Sequence, residues 1–94
     1  MLEKQIERKL VQNVEKAGGK AIKLNCPGFS GMPDRMVIFP GGRLYFVEMK
    51  APGRKPTPLQ TARMLYLEAL GFDTRTIDTP EGVEAFIKEV SPHG

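Results

Sequence analysis

The sequence predicts an α/β domain in which a mixed β-sheet is flanked by helices, with an α-β-β-β-α-β core and a C-terminal helix. Two observations support this prediction. Two apolar runs in the middle of the chain are joined by a glycine-rich turn, as in a β-hairpin. A helical segment then leads to another strand-like run, which is typical of a crossover that returns to the same sheet. The length of 94 residues suits one modest core, so we expect residues 1–94 to form a single domain.

The first part of the chain predicts one helix and one short strand. Apolar residues recur at helical spacing from residue 2 to residue 17, and Gly18-Gly19 supplies the stop. Residues 20–24 alternate in a way that suits a strand. A loop with proline and glycine turn signals follows over residues 25–33. We therefore expect a helix and a strand before the hairpin.

The hairpin is predicted from residues 35–39 and 44–49, which are rich in residues that favour strands. The connection Pro40-Gly41-Gly42-Arg43 between them is compact, so the two strands should pair antiparallel. Apolar residues fall on both faces of the second run. That pattern is typical of a central strand covered on both sides.

Three residues in a row of four predict the start of the second helix. Thr57 suits the N-cap, Pro58 the first helical position, and Gln60 the partner in a capping box. The helix should run to about Leu70.

The remaining residues predict a strand and a last helix. Gly71 should cap the second helix, and residues 72–77 resemble a strand. Thr79-Pro80 should open the third helix, which ends near Val90.

Composition excludes several classes of site. Cys26 is the only cysteine and His93 the only histidine, so internal disulfides, zinc clusters and hydrolytic triads lack parts. Chemistry at neutral pH would rest on Asp, Glu, Lys, Tyr and a hard metal ion bound through oxygen. The net charge of +3 is consistent with a polyanionic partner without requiring one. Without a leader or a long apolar run, we expect a cytoplasmic protein.

Three side chains are predicted to converge at one end of the hairpin. Side chains alternate along a strand, so Glu48 and Lys50 project from the same face, roughly 7 Å apart. Asp34 enters the partner strand opposite them. Two neighbouring carboxylates repel unless one is protonated or a cation bridges them, and Mg²⁺ or Mn²⁺ would bridge them while activating a water for phosphodiester hydrolysis. A turn role for Asp34 and a simple Glu48–Lys50 ion pair remain the alternatives.

Pro33-Asp34 followed by Glu48-Met49-Lys50 resembles the signature of the PD-(D/E)XK nuclease superfamily. The flanking stretches "PGFSGMPDRMV" and "LYFVEMKAPGRKPTPLQ" are similar to the VRR-NUC domain in its stand-alone, phage-type form. The resemblance implies a restriction-endonuclease-like fold and a divalent-metal-dependent endodeoxyribonuclease. It implies that Asp34, Glu48 and the carbonyl of Met49 bind Mg²⁺ or Mn²⁺, while Lys50 assists the attacking water.

The sequence is also similar to Holliday-junction resolvases, in which a first-helix glutamate and a glutamine after the lysine line the site. Here those places fall on Glu7 and Gln60. Glu3, one helical turn earlier, competes with Glu7, and the capping box explains Gln60 without any chemistry.

The resemblance further implies DNA as partner, branched DNA such as a Holliday junction or flap as a plausible substrate, and a homodimer that presents two sites. The setting would be a bacterial cell or a phage-infected host. Arg54 and Lys55 follow the motif and are expected to contact the DNA backbone, although a solvated charge pair is the alternative. A second function class also stays open, a nucleic-acid-binding module that has kept the fold and lost turnover.

Overall fold

A computed structural model describes residues 2–91 of the chain, so the sole histidine, His93, lies outside the described residues. Over that range the elements follow the predicted order, and their ends differ from the predicted ones by one or two residues. The elements are α1 (Glu3–Lys16), β1 (Lys20–Lys23), β2 (Arg35–Phe39), β3 (Arg43–Met49), α2 (Pro58–Ala69), β4 (Asp73–Ile77) and α3 (Pro80–Val90).

The four strands form one mixed sheet in the order β1-β2-β3-β4. Strands β1, β2 and β3 are antiparallel neighbours, whereas β4 returns through α2 to lie parallel to β3. The prediction that β3 is a central strand is therefore confirmed. Gly41 and Gly42 both have positive φ, at 89° and 76°, which a tight hairpin turn requires and which glycine adopts without strain.

One face of the sheet carries the main core. Helices α1 and α3 cover this face, and their apolar stripes meet the side chains that β2, β3 and β4 direct toward them. Burial of these side chains provides the main stabilisation of the fold. Among the residues in this core are Ile6, Leu10, Val14, Val37, Val47, Met49, Ile77, Val83, Phe86 and Val90.

The other face is covered by α2 alone. The hydroxyl of Thr76, which alternates with the core residue Ile77, lies 3.9 Å from the sulfur of Met64 on α2. Leu67 is the only buried residue of α2, and Phe46 of β3 packs edge-on against Phe72. This thin cover leaves the end of β3 close to solvent on the α2 side.

Within residues 2–91, no helix has both the length and the apolar character needed to cross a membrane.

Candidate active site

The ends of β2 and β3 bring Asp34 and Glu48 together. Arg35 pairs with Val47 in the antiparallel ladder, so the next pair in the same register is Asp34 with Glu48. The buried Pro33 precedes Asp34, which is half-buried where the loop enters β2. The juxtaposition expected from the sequence is therefore present in the fold.

Asp34 is attached to β3 by a hydrogen bond. The backbone N–H of Met49 donates to Oδ2 of Asp34 at 2.8 Å, and the backbone oxygen of Asp34 accepts from the N–H of Leu24 at 2.9 Å. The residue therefore joins β3 through its side chain and the chain after β1 through its backbone. These bonds fix the orientation of the carboxylate.

Glu48 is the buried polar residue of the described chain, with a relative exposure of 1%. Its Oε2 lies 3.2 Å from Nζ of Lys50, whereas its Oε1 is buried with no hydrogen-bond partner among residues 2–91. A buried oxygen without a partner costs about 1–3 kcal/mol. The burial of Glu48 therefore calls for a ligand at Oε1.

The electrostatics of Glu48 agree with its burial. Burial raises the pKa of Glu48 to about 7, the neighbouring charge of Asp34 raises it further in the same direction, and the ammonium of Lys50 opposes both effects. Near neutral pH the proton on Glu48 is therefore loosely held. A cation at this place would displace it readily.

The donors around Glu48 fit a hard divalent cation. Asp34 and Glu48 supply two carboxylates, and no group of three or more His, Cys, Asp or Glu suited to a metal occurs within residues 2–91. Mg²⁺ is commonly bound by one or two carboxylates, with water and phosphate oxygens completing its shell. The side chain of Met49 is buried in the core on the opposite face, so only its backbone could contribute.

Next to Lys50 lies an open cavity of 540 Å³. The loop after β3 forms one side, and it is held by the N–H of Gly53 donating to Oδ2 of Asp78 at 3.2 Å. Arg54 and Lys55, both expected to contact DNA, are exposed and line this cavity together with Lys50. The remaining lining residues are Glu3, Ala51, Pro52 and Thr57.

The two first-helix acids occupy different places. Glu3 lines the cavity beside Lys50, whereas Oε2 of Glu7 accepts from Nε of Arg35 at 2.8 Å. Arg35 alternates with Asp34 along the chain, so its side chain leaves toward α1. The structure thus favours Glu3 over Glu7 as the first-helix acid nearest to Lys50. Spacing from the end of the helix could not show this, because it does not fix how α1 is rotated about its axis.

Gln60 forms the capping box expected from the sequence. Its N–H donates to Oγ1 of Thr57 at 3.2 Å, and its Oε1 accepts from the N–H of Thr57 at 2.9 Å. The amide oxygen of Gln60 is therefore engaged at the start of α2. A role for this side chain in the reaction stays a prediction.

Comparison with known proteins places this geometry in a family, although no family model matches the chain. A phage protein named "Putative nuclease p44", from Acyrthosiphon pisum secondary endosymbiont phage 1, is 47% identical over 79 residues, which is 84% of this chain and 85% of that protein. A solved structure described as a VRR_NUC domain superposes with a TM-score of 0.87 at 29% identity, covering 94% of this chain and 96% of that one. The chain therefore belongs to the VRR-NUC family of nuclease domains, of the phage type that its sequence resembles.

Proposed function

We propose that this protein is an endonuclease that hydrolyses phosphodiester bonds of DNA and depends on Mg²⁺ or Mn²⁺. The observation that carries the proposal is the buried Glu48, whose Oε1 has no partner within residues 2–91, next to the carboxylate of Asp34. A site that only stabilised the fold would gain nothing from a buried, unpartnered carboxylate oxygen. The phage relative named as a nuclease supports the same assignment.

Each residue has a role that follows from its place. Asp34 and Glu48 would hold the cation, together with the backbone carbonyl of Met49. The cation supplies a charge that polarises a phosphoryl oxygen and lowers the pKa of a water, which then attacks phosphorus directly. Lys50, 3.2 Å from Glu48 and lining the cavity, places a positive charge where negative charge develops on the phosphate.

Arg54 and Lys55 would position the DNA. Both are exposed on the loop after β3 and border the cavity that contains Lys50. Contacts from such side chains to phosphates fix the register of the backbone and carry no base information. Binding should therefore weaken with added salt.

The finer part of the proposal is a homodimer that acts on branched DNA, such as a Holliday junction or flap, in the cytoplasm of a bacterial cell or phage-infected host. The exposed residues Leu59, Tyr66 and Leu70 share one stripe of α2 and would suit contact with a second copy. Two sites related by a twofold axis could then reach two strands. The molar mass in solution, measured by light scattering, tests the dimer.

Cleavage of labelled four-way junction, splayed-arm and linear DNA tests the function. The wild type is compared with Asp34→Ala and Lys50→Ala in Mg²⁺, Mn²⁺ and EDTA, and Lys88→Ala serves as the control because Lys88 is exposed and lines neither the site nor its cavity. We expect cutting by the wild type and the control only, and none in EDTA. Equal cutting by all four proteins would rule out this site, and binding without cutting under either metal would favour the inactive module.

A further inference from the structure

A second cavity, of 400 Å³, lies beside the candidate active site. The first turns of α1 and the ends of β1 and β2 form its walls. Four of its lining side chains are cationic and one is acidic. The lining residues are Lys4, Glu7, Arg8, Val11, Lys23 and Arg35.

The acid in this cleft is already paired. Glu7 forms its ion pair with Arg35 at 2.8 Å, and a second nitrogen of Arg35 donates to the backbone oxygen of Ala21 at 3.3 Å. Both side chains of the ion pair are largely buried. The remaining charge of the cleft is therefore positive and comes from Lys4, Arg8 and Lys23, which are all exposed.

Cations without a partner are concentrated around the two cavities. Within residues 2–91, most lysines and arginines donate to a carboxylate or a backbone oxygen. Of the cations that form neither an ion pair nor a hydrogen bond, all except two line the cleft or the cavity beside Lys50. The full set is Lys4, Arg8, Lys16, Lys23, Arg54, Lys55 and Lys88, of which Lys16 and Lys88 lie elsewhere.

The two cavities adjoin each other at the same end of the sheet. Glu3 lines one and Lys4 the other, so only the first turn of α1 separates them. Lys23 pairs with Arg35, the residue after Asp34, in the ladder between β1 and β2. Since neighbouring strands lie about 4.8 Å apart, the cleft is within a few phosphates of Asp34 along a DNA strand.

We propose that Lys4, Arg8 and Lys23 form a second phosphate-binding surface, which holds the DNA backbone on the β1 side of the candidate active site. The DNA would cross the end of the sheet, with the scissile phosphate near Asp34 and the flanking backbone divided between this cleft and the Arg54–Lys55 loop. Unpaired cations facing an open cleft complement a polyanion and keep their full charge for it. This inference rests on the proposed function, since it takes DNA as the ligand.

The test compares two pairs of substitutions that each remove two positive charges from exposed sites. One variant combines Arg8→Gln with Lys23→Gln in the cleft, and the matched control combines Lys16→Gln with Lys88→Gln outside both cavities. Binding to a short fluorescein-labelled DNA duplex is measured by anisotropy in EDTA over a range of salt, so that no cleavage intervenes. A third variant, Arg8→Lys with Lys23→Arg, keeps both charges, and thermal unfolding checks that every variant is folded.

We expect the slope of log Kd against log salt to fall by about 1.5 for the cleft variant, since each lost phosphate contact removes about 0.7–0.9. The control and the charge-conserving variant should keep the wild-type slope. Equal slopes for the cleft variant and the control would overturn the inference. Cleavage in Mg²⁺ is measured separately, so a wild type that binds with the expected slopes but never cuts would refute the nuclease and leave this surface supported.

Discussion

The backbone N–H of Met49 donates a 2.8 Å hydrogen bond to Oδ2 of Asp34, so one strand of the hairpin holds the carboxylate of the other. This contact places Asp34 beside Glu48 without any help from a distant part of the chain. The hairpin turn at Gly41-Gly42 sets the register that makes it possible. The two carboxylates are therefore held together by local structure.

Substitution of Asp34 should separate charge from folding. Asp34→Asn keeps an oxygen that can accept from Met49, so the protein should stay folded while cleavage falls at least about a hundredfold. Asp34→Ala leaves the N–H of Met49 without its acceptor and should also lower the free energy of unfolding by about 1–3 kcal/mol. Urea unfolding and cleavage of labelled DNA measure the two effects. Equal stability of the two variants would contradict the role of this hydrogen bond.

The stability of the metal-free protein should depend on pH through Glu48. Its pKa is raised from 4.5 to about 7 in the folded chain, so the folded state holds this proton more tightly than the unfolded state does. The stabilisation is full below the unfolded value and is lost as the pH rises through about 7. Between about pH 5 and pH 8 the loss is on the order of 2–3 kcal/mol.

Glu48→Gln is the matched control for that dependence, because it keeps the shape and removes the titration. In EDTA, the difference in unfolding free energy between Glu48→Gln and the wild type should move in favour of the variant from about pH 5 to about pH 8. Chemical denaturation at both pH values measures the difference. A constant difference would contradict the raised pKa.

Added Mg²⁺ should stabilise the folded protein, and more strongly above pH 7 than below it. A cation bound at Glu48 competes with the proton there, so acid weakens its binding. We expect the melting temperature to rise with Mg²⁺ concentration near pH 8, since a ligand that binds only the folded state stabilises it. The rise should be absent in Glu48→Gln and Asp34→Asn, with NaCl at matched ionic strength as the salt control. An equal rise in all three proteins would place the ion elsewhere.

The two first-helix acids should separate in their effects. Glu7→Gln breaks a largely buried ion pair with Arg35 and should lower stability by about 1 kcal/mol. Glu3→Gln removes an exposed acid that lines the cavity with Lys50, so it should change the cleavage rate with little effect on stability. Melting temperature and cleavage rate, measured on both variants, would show the reverse pattern if Glu7 were the acid that acts at the site.

Gln60 should contribute to stability through α2. Gln60→Ala removes the acceptor for the N–H of Thr57 and should cost about 1 kcal/mol, as other lost caps do. Gln60→Glu keeps an oxygen at that place and should retain the stability of the wild type. Unfolding of the two variants side by side tests this. A loss of stability in Gln60→Glu as large as that in Gln60→Ala would contradict the capping role.

The sequence by itself determined the order of the elements, the hairpin and the position of the site within it. These features depend on short-range signals: alternation along the strands, glycines at Gly41-Gly42, and the cap at Thr57. The face shared by Glu48 and Lys50 follows from alternation alone, and Asp34 follows from the register that the turn imposes. Because each signal lies within a few residues of its effect, no knowledge of the packed chain was needed.

Only the tertiary structure decided the surroundings of these residues. Whether Glu3 or Glu7 faces Lys50 depends on the rotation of α1 against the sheet, and the burial that leaves Oε1 of Glu48 without a partner depends on how the elements pack around it. The cleft of Lys4, Arg8 and Lys23 likewise joins a helix to a strand far along the chain. Such contacts arise from the packing of whole elements, and the local pattern of a sequence does not contain the angles at which those elements meet.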